Sequence, residues 1–205
     1  MAKIKYTRIN TPVGVAVYPR FNEPDTKFVA EGVYHTKLRI HGDEASDFIA
    51  QLEGFRDDFA SEQDAKTQKT HSILDVFEEE LNDEGDETGY VLFTAKLKAK
   101  VTPKTGDSWE QKPGLFDSMN NEIGPEIQVW GGSRVRLNCD VVPYAMASTK
   151  TIGVSLRLKN VQVIELVSGG AGSSPFGEFE GGAVITPAET QTEEPETGFE
   201  DGDDY

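Results

Sequence analysis

The sequence predicts a mainly β fold: one small barrel carrying a helical insertion, followed by an acidic tail. Three observations predict it. Several segments alternate apolar and polar residues with a period of two, which marks strands that bury one face. One internal stretch switches to apolar spacings of three and four, which marks an amphipathic helix. Residues 171–205 carry neither pattern.

The elements follow in chain order. Lys3–Ile9 reads as a strand, Gly14–Tyr18 as a second, and Phe28–His41 as a third after a turn at Asn22-Glu23-Pro24-Asp25. In the third, Tyr34, Thr36, Leu38 and Ile40 share one face while His35, Lys37, Arg39 and His41 share the other. Across Asp43–Ala60, Ala45, Phe48, Ile49, Leu52, Phe55 and Phe59 recur at helical spacing, behind acidic residues that suit a helix N-terminus. A second helix is expected from the capping-box-like Ser72-Ile73-Leu74-Asp75, with Ile73, Leu74, Phe77 and Leu81 apolar. It dissolves into the acidic loop Asn82–Gly89.

Strands resume at Tyr90–Val101, where Phe93, Leu97, Ala99 and Val101 alternate with Lys96, Lys98 and Lys100. The stretch Thr102–Pro125 holds Trp109 and Pro113-Gly114-Leu115-Phe116 and is too long for a plain hairpin connection. Ile127–Tyr144 is broken at Gly131-Gly132. Beyond the break, Val135, Leu137, Cys139 and Val141 oppose Arg134, Arg136 and Asn138. In the last strand, Thr151–Val167, the aliphatic residues Ile152, Val154, Leu156 and Leu158 alternate with Ser155, Arg157 and Lys159. That alternation slips near Asn160 before Val161 and Val163, so a bulge is expected there. From Ser168 the chain turns to glycine, serine, proline and acid, with too little apolar content to offset the entropy of ordering. Residues 1–170 are therefore read as one domain with an acidic helical insertion at about 43–88, and 171–205 as a disordered tail.

Charge narrows the function. The net charge of −16 argues against nucleic acid until its distribution is considered. Residues 171–205 hold ten acidic residues and no basic one, and residues 43–88 hold sixteen against three. The remaining, strand-rich segments carry seventeen basic against ten acidic residues, a net of +7. Opposite signs on different segments are informative where the total is not. No apolar run approaches the ~20 residues that span a bilayer, and no apolar stretch of a secretory leader follows Met1. The single Cys139 permits no internal disulfide. A cytoplasmic protein with no membrane partner is the expectation.

Strand after strand sets aliphatic residues against lysine or arginine. Small barrels with such a face bind single strands through a positive groove, with exposed rings stacking on bases. Phe48, Phe55, Phe59 and Phe77 lie at helical spacing, and Tyr34 and Phe93 on apolar strand faces, so these read as core. Trp109, Phe116, Trp130 and Tyr144 stand in or beside irregular segments and are the better stacking candidates. Tyr18 and Phe21 beside Arg20 form a weaker set. His35, His41, His71 and Cys139 show no metal-ligand spacing, and Asn82–Glu87 lacks the ligand positions of a calcium loop. Neither glycine pair is followed by the lysine of a phosphate loop, and no serine or cysteine nucleophile stands in a recognisable context. The sequence predicts no enzyme, no metal and no cofactor. The tail closes on Phe199-Glu200-Asp201-Gly202-Asp203-Asp204-Tyr205, carboxylates ending in a ring, which can imitate single-stranded DNA. Tethered to its own domain, such a competitor acts at roughly millimolar local concentration.

At this point the chain resembles the bacteriophage single-stranded DNA-binding proteins that combine an OB-fold with an acidic C-terminal tail. The likeness rests on Trp130-Gly131-Gly132-Ser133-Arg134-Val135 leading through Val142-Pro143-Tyr144 to Gly153-Val154-Ser155-Leu156-Arg157-Leu158 and Val161-Gln162-Val163, and on the terminal Asp203-Asp204-Tyr205. Where the best-known members end in phenylalanine, this chain ends in tyrosine. The resemblance implies a five-stranded OB-fold barrel with an inserted helix, here Asp43–Ala60. It also implies a tail that contacts replication partners, the phage DNA polymerase and a helicase or primase. The expected function is coating of single-stranded DNA, with little sequence preference, in phage replication, recombination and repair. Lys37, Arg39, Lys96, Lys98, Lys100, Arg134, Arg136, Arg157 and Lys159 are expected on phosphates, and Trp109, Trp130 and Tyr144 on bases. Phe199, Asp201, Asp203, Asp204 and Tyr205 form the partner-binding tail. A homodimer is compatible with this reading. Two rivals stay open: an acidic DNA mimic acting through residues 43–88 and the tail, and a structural β-domain of a virion.

Overall fold

Residues 6–67, 70–103, 105–124 and 126–167 are described by a computed structural model of the chain. The tail positions Phe199, Asp201, Asp203, Asp204 and Tyr205 lie outside the described residues. In chain order the elements are β1 (Thr7–Asn10), β2 (Gly14–Asp25), β3 (Val33–His41), α1 (Gly42–Thr67), β4 (Ser72–Ile73), β5 (Glu78–Leu81) and β6 (Glu87–Lys98). There follow β7 (Lys100–Val101), β8 (Trp109–Glu110), β9 (Gly114–Phe116), β10 (Arg134–Met146) and β11 (Thr151–Glu165).

Five strands close a ring, running β2–β3–β6–β11–β10 and back to β2. Four junctions are antiparallel. The fifth, between β6 and β11, is parallel and rests on two register pairs, Ala95 with Leu156 and Lys96 with Arg157. This is the five-stranded OB-fold barrel. The period of two that marked the strands is what fills it: Tyr34, Leu38 and Ile40 of β3, Val91, Phe93 and Leu97 of β6, and Val135, Leu137, Cys139 and Val141 of β10 all point inward and are buried. Apolar area removed from water at about 25 cal/mol per Å² makes that alternation the main determinant of register.

The helix α1 touches β3, β6, β10 and β11, four of the five ring strands, and so covers one end of the barrel. Ala45, Phe48 and Leu52 are its buried face, as spacing predicted, and the Phe48 ring meets Phe93 edge-on at 5.0 Å between centroids. It runs to Thr67, beyond the expected end at Ala60. The added turns carry no apolar stripe and are held by contacts such as Lys66 to Glu62, which an apolar pattern cannot reveal.

The second helix expected at Ser72–Leu81 is not formed. Ser72 and Ile73 instead pair in parallel with Thr151 and Ile152, and Glu78–Leu81 pairs with β6. Ile73 and Leu81 remain exposed while Phe77 packs against the core beside Phe93, so the four apolar residues do not share one buried face. The free half-edge of β6 takes up the backbone of Glu78–Leu81 as a strand, satisfying N–H and C=O groups on both. Strand limits also differ from expectation: the first part of the strand expected over Ile127–Tyr144 is loop and β10 begins at Arg134, and β6 begins at Glu87 rather than Tyr90. The turn expected at Asn22–Asp25 is the end of β2, which bends at Tyr18 with φ of 48°. The strand expected from Phe28 begins at Val33, after Gly32 with φ of 78°, a conformation that leaves residues 26–32 as a loop. The bulge expected near Asn160 falls at Lys159: Asn138 pairs with Asn160, but its neighbour Cys139 pairs with Leu158.

Candidate nucleic-acid interface

Register places one row of outward residues across the whole sheet. Arg20 of β2 stands opposite His35 of β3, and His35 opposite Lys96 of β6. Lys96 stands beside Arg157 of β11, Arg157 opposite Asp140 of β10, and Asp140 opposite Arg8 of β1. Lys98 and Lys159 follow Lys96 and Arg157 by two positions on the same outer face, and Lys100 continues beyond them. Among the described residues Arg20, Lys96, Lys98 and Lys100 form no ion pair. Arg157 lies over the Tyr6 ring at 4.7 Å. Asp140 is the acid in the row. Burial pushes its carboxyl up, but Arg8, whose Nε donates to it at 2.7 Å, outweighs this with Lys159 and Arg157 and holds it below the usual range.

Exposed rings flank the row. Phe28, in the β2–β3 loop, is 85% exposed, with Lys27 Nζ 5.2 Å from its centroid. It borders a groove of about 590 Å³ whose polar lining includes His35, Lys37 and Lys96 with the acids Asp25 and Glu78. Next to the same loop, where Ala99 N–H donates to Gly32 C=O, the β7–β8 ribbon presents Trp109, 50% exposed, opposite Val101. Tyr18 at 81% and Trp130 at 49% are exposed near the β2–β10 seam, where Gly132 N–H donates to Ala16 C=O. Tyr144 differs from these. Its ring is half-buried, with the hydroxyl end packed over Gly153 on the facing strand.

The remaining basic positions are already engaged. Lys37 Nζ donates to Glu78, which also accepts from Thr94 Oγ1 at 3.3 Å. Arg39 donates through Nε and Nη2 to both oxygens of Glu80 at 2.8 Å and stacks on the Tyr90 ring at 3.4 Å, while Thr88 Oγ1 donates to Glu80 at 2.7 Å. Arg39 and Thr88 hold the Glu80 carboxyl below its ordinary value, and Lys37 does the same for Glu78. Arg134 pairs with Glu165, and Arg136 Nε donates to the Thr11 carbonyl at 3.1 Å. Of the expected residues the fold therefore gathers Lys96, Lys98, Arg157 and Lys159 at one region, with Lys100 opposite Glu110 on the β7–β8 ribbon and Trp109 on the ribbon's other face. It sets Lys37 and Arg39 against glutamates and leaves Arg134, Arg136 and Tyr144 apart on β10. Sequence reasoning missed Arg20, His35 and Arg8 as members of the row because only register joins them. It missed Phe28 by reading it into a strand, although Pro24 and Gly32 bracket a loop around it.

The buried Cys139 thiol is pushed up to about 12 by desolvation, so it is no nucleophile near neutral pH. Among the described residues no three His, Cys, Asp or Glu side chains converge to hold a metal ion, and no helix is long and apolar enough to cross a membrane. A five-stranded barrel crossed by a row of cations between exposed rings defines the single-strand-binding class of OB-fold proteins. Residues 13–166 match the family described as "Single-stranded DNA-binding protein, Bacteriophage T7", and the chain belongs to that family.

Solved structures agree on the fold. Gp2.5, a single-stranded DNA-binding protein encoded by bacteriophage T7, superposes with a TM-score of 0.67 at 19% identity, covering 89% of this chain and 100% of its own. The single-stranded DNA-binding protein of bacteriophage Enc34 in complex with single-stranded DNA gives 0.55 at 13% identity, covering 80% and 89%. Its C-terminal truncation gives 0.52 at 14%, covering 77% and 85%. No curated protein sequence matches the chain.

Proposed function

We propose that this member of the family is a non-catalytic protein that coats single-stranded DNA with little sequence preference during phage replication and recombination, in the host cytoplasm. The backbone of the strand follows the row Arg20, His35, Lys96 and Arg157, with Lys98, Lys100 and Lys159 beside it, and bases stack on Phe28, Trp109, Tyr18 and Trp130. The observation that carries this reading is the continuity of the row across four strands, together with exposed rings at Tyr18, Phe28, Trp109 and Trp130. Arg20, Lys96, Lys98 and Lys100, which form no ion pair among the described residues, can exchange counterions for phosphates, and stacking on a ring tolerates every base. The same row weighs against a DNA mimic, which needs an acidic face and no basic one.

Residues 1–170 act as the binding domain. The tail 171–205, with Phe199, Asp201, Asp203, Asp204 and Tyr205, competes for the row and recruits the phage polymerase and a helicase or primase. Its ten carboxylates against the +7 of the strand-rich segments support that pairing.

The test is binding of fluorescent oligo-dT across a salt series, comparing the native chain with Lys96→Ala/Arg157→Ala. Two lost phosphate contacts lower the slope of log affinity against log salt by about 1.4, at about 0.7 per contact on a single strand. An unchanged affinity and slope would remove the row from the interface.

A further inference from the structure

The acidic strand β5 has no evident part in building the barrel. Its position is nevertheless fixed: backbone pairing sets Glu78 opposite Leu92 and Glu79 opposite Val91 of β6, and the Asn82–Asp86 turn is closed by Asn82 Oδ1 accepting from the N–H groups of Glu84 and Asp86. The alternation of the strand aims Glu78 and Glu80 at Lys37 and Arg39, across Thr94 and Tyr90 of the strand between them. Between residues 78 and 87 there are seven acidic residues and no basic one. The basic face is thus divided. Along the row Arg20 and Lys96 form no ion pair among the described residues and His35 Nε2 lies 3.5 Å from Asp25, whereas at the next two positions along β3 Lys37 and Arg39 are held directly by the carboxylates of Glu78 and Glu80.

The geometry points to β5 as a barrier that rejects duplex DNA from a face that accepts a single strand; this rests on the reading that the His35–Lys96 row carries the DNA backbone. Successive outward residues on a strand are about 6.8 Å apart, so Lys37 and Arg39 lie one and two such steps from the row. That is the scale of a B-DNA minor groove, about 6 Å between its backbones. A duplex with one backbone on the row brings its second backbone over Glu78, Glu80 and the acidic turn. A duplex also presents twice the phosphate density of a lone strand and is stiff over about 150 base pairs, so it cannot bend away. A single strand has no second backbone and can follow the row past the carboxylates. The barrier works by staying in place, since the hydroxyls of Thr94 and Thr88 and the β6 ladder hold the two glutamates independently of their cations.

The experiment compares Glu78→Gln/Glu80→Gln with the native chain on a fluorescent single strand and on a hairpin duplex of the same length. A charge-matched control, Asp47→Asn/Asp58→Asn, removes two exposed carboxylates of α1 instead. The glutamine pair keeps side-chain size and hydrogen-bonding capacity, and an unchanged thermal midpoint verifies the fold. Duplex affinity is expected to rise about tenfold or more, with its salt slope steeper by about 1.8 as Lys37 and Arg39 become available at about 0.9 each. Single-strand affinity and slope change little, and the control reproduces neither effect. Duplex binding that stays as weak as before, or that rises by the same factor as single-strand binding or in the control, overturns the barrier. Should the variant lose its fold, Lys37→Ala/Arg39→Ala decides the matter: cations already occupied leave single-strand affinity nearly native, and a loss as large as that of Lys96→Ala/Arg157→Ala overturns the proposal. A failed row is recognised separately, by native single-strand affinity in Lys96→Ala/Arg157→Ala.

Discussion

Asp140 illustrates how one residue serves both the barrel and the surface. It is an acid in a row of cations, largely buried and bound to Arg8 and Lys159. Its folded pKa lies below the unfolded value, so its stabilising contribution is present above the unfolded carboxylate pKa of about 3.9 and is lost as pH falls through the depressed folded value. Asp140→Asn is expected to lower stability by about 1–2 kcal/mol at pH 7, with exposure of Arg8 moderating the figure. Urea unfolding at pH 7 and again at strongly acid pH checks this, because the difference from the native protein should vanish in acid. Phe28 belongs to the opposite kind, a residue with no structural duty. Phe28→Ala should weaken oligo-dT binding by about 1–3 kcal/mol and leave the salt slope unchanged, since a ring releases no counterions. A changed slope would instead mean that the loop positions Lys27.

At the scale of elements, α1 closes the barrel end through few residues, and Phe48 against Phe93 is the chief of them. Phe48→Ala should cost about 3–5 kcal/mol, read as a lower urea midpoint with an unchanged m-value. A loss below about 1 kcal/mol would mean that the helix is not held through this contact. These are also the parts that the sequence made legible. Alternation in β3, β6, β10 and β11 gave strand phases directly, because each strand faces water on one side only. The slip at Lys159 revealed the bulge for the same reason. What stayed hidden depended on partners distant in sequence. Nothing local to Ser72–Leu81 indicates that β6 offers an open half-edge, and apolar residues at 73, 74, 77 and 81 fit a helix as readily as two short strands joined by a segment that packs Phe77 on the core. The candidate site was legible as a list of basic and aromatic residues. Which of them are free was not, because Glu78 and Glu80 reach Lys37 and Arg39 across some forty residues of chain, a separation of 41 in each case.

For the molecule as a whole, the sign of the charge is sorted by segment. Helix, β5 hairpin and tail are acidic, while the ring strands are basic. A net charge of −16 works against non-specific polyanion binding to the chain as a whole. Removing residues 171–205 should tighten oligo-dT binding, most strongly at low salt where a tethered polyanion competes best. Equal affinity of the two forms across the salt series would confine the tail to partner recruitment.

The parallel seam between β6 and β11 closes the ring through Lys96 and Arg157 themselves. It is the shortest stretch of pairing between cations on the sheet, and two like charges side by side work to part it. A polyanion laid over both acts as a clasp on the hoop. On the proposed reading, binding and barrel integrity draw on the same two side chains, and a ligand that favours the closed ring must slow its opening. Amide hydrogen exchange at Ala95–Leu97 and Leu156–Leu158 should slow on adding oligo-dT by more than in the β2–β3 pairing, so that the DNA being guarded would in turn keep its guard shut.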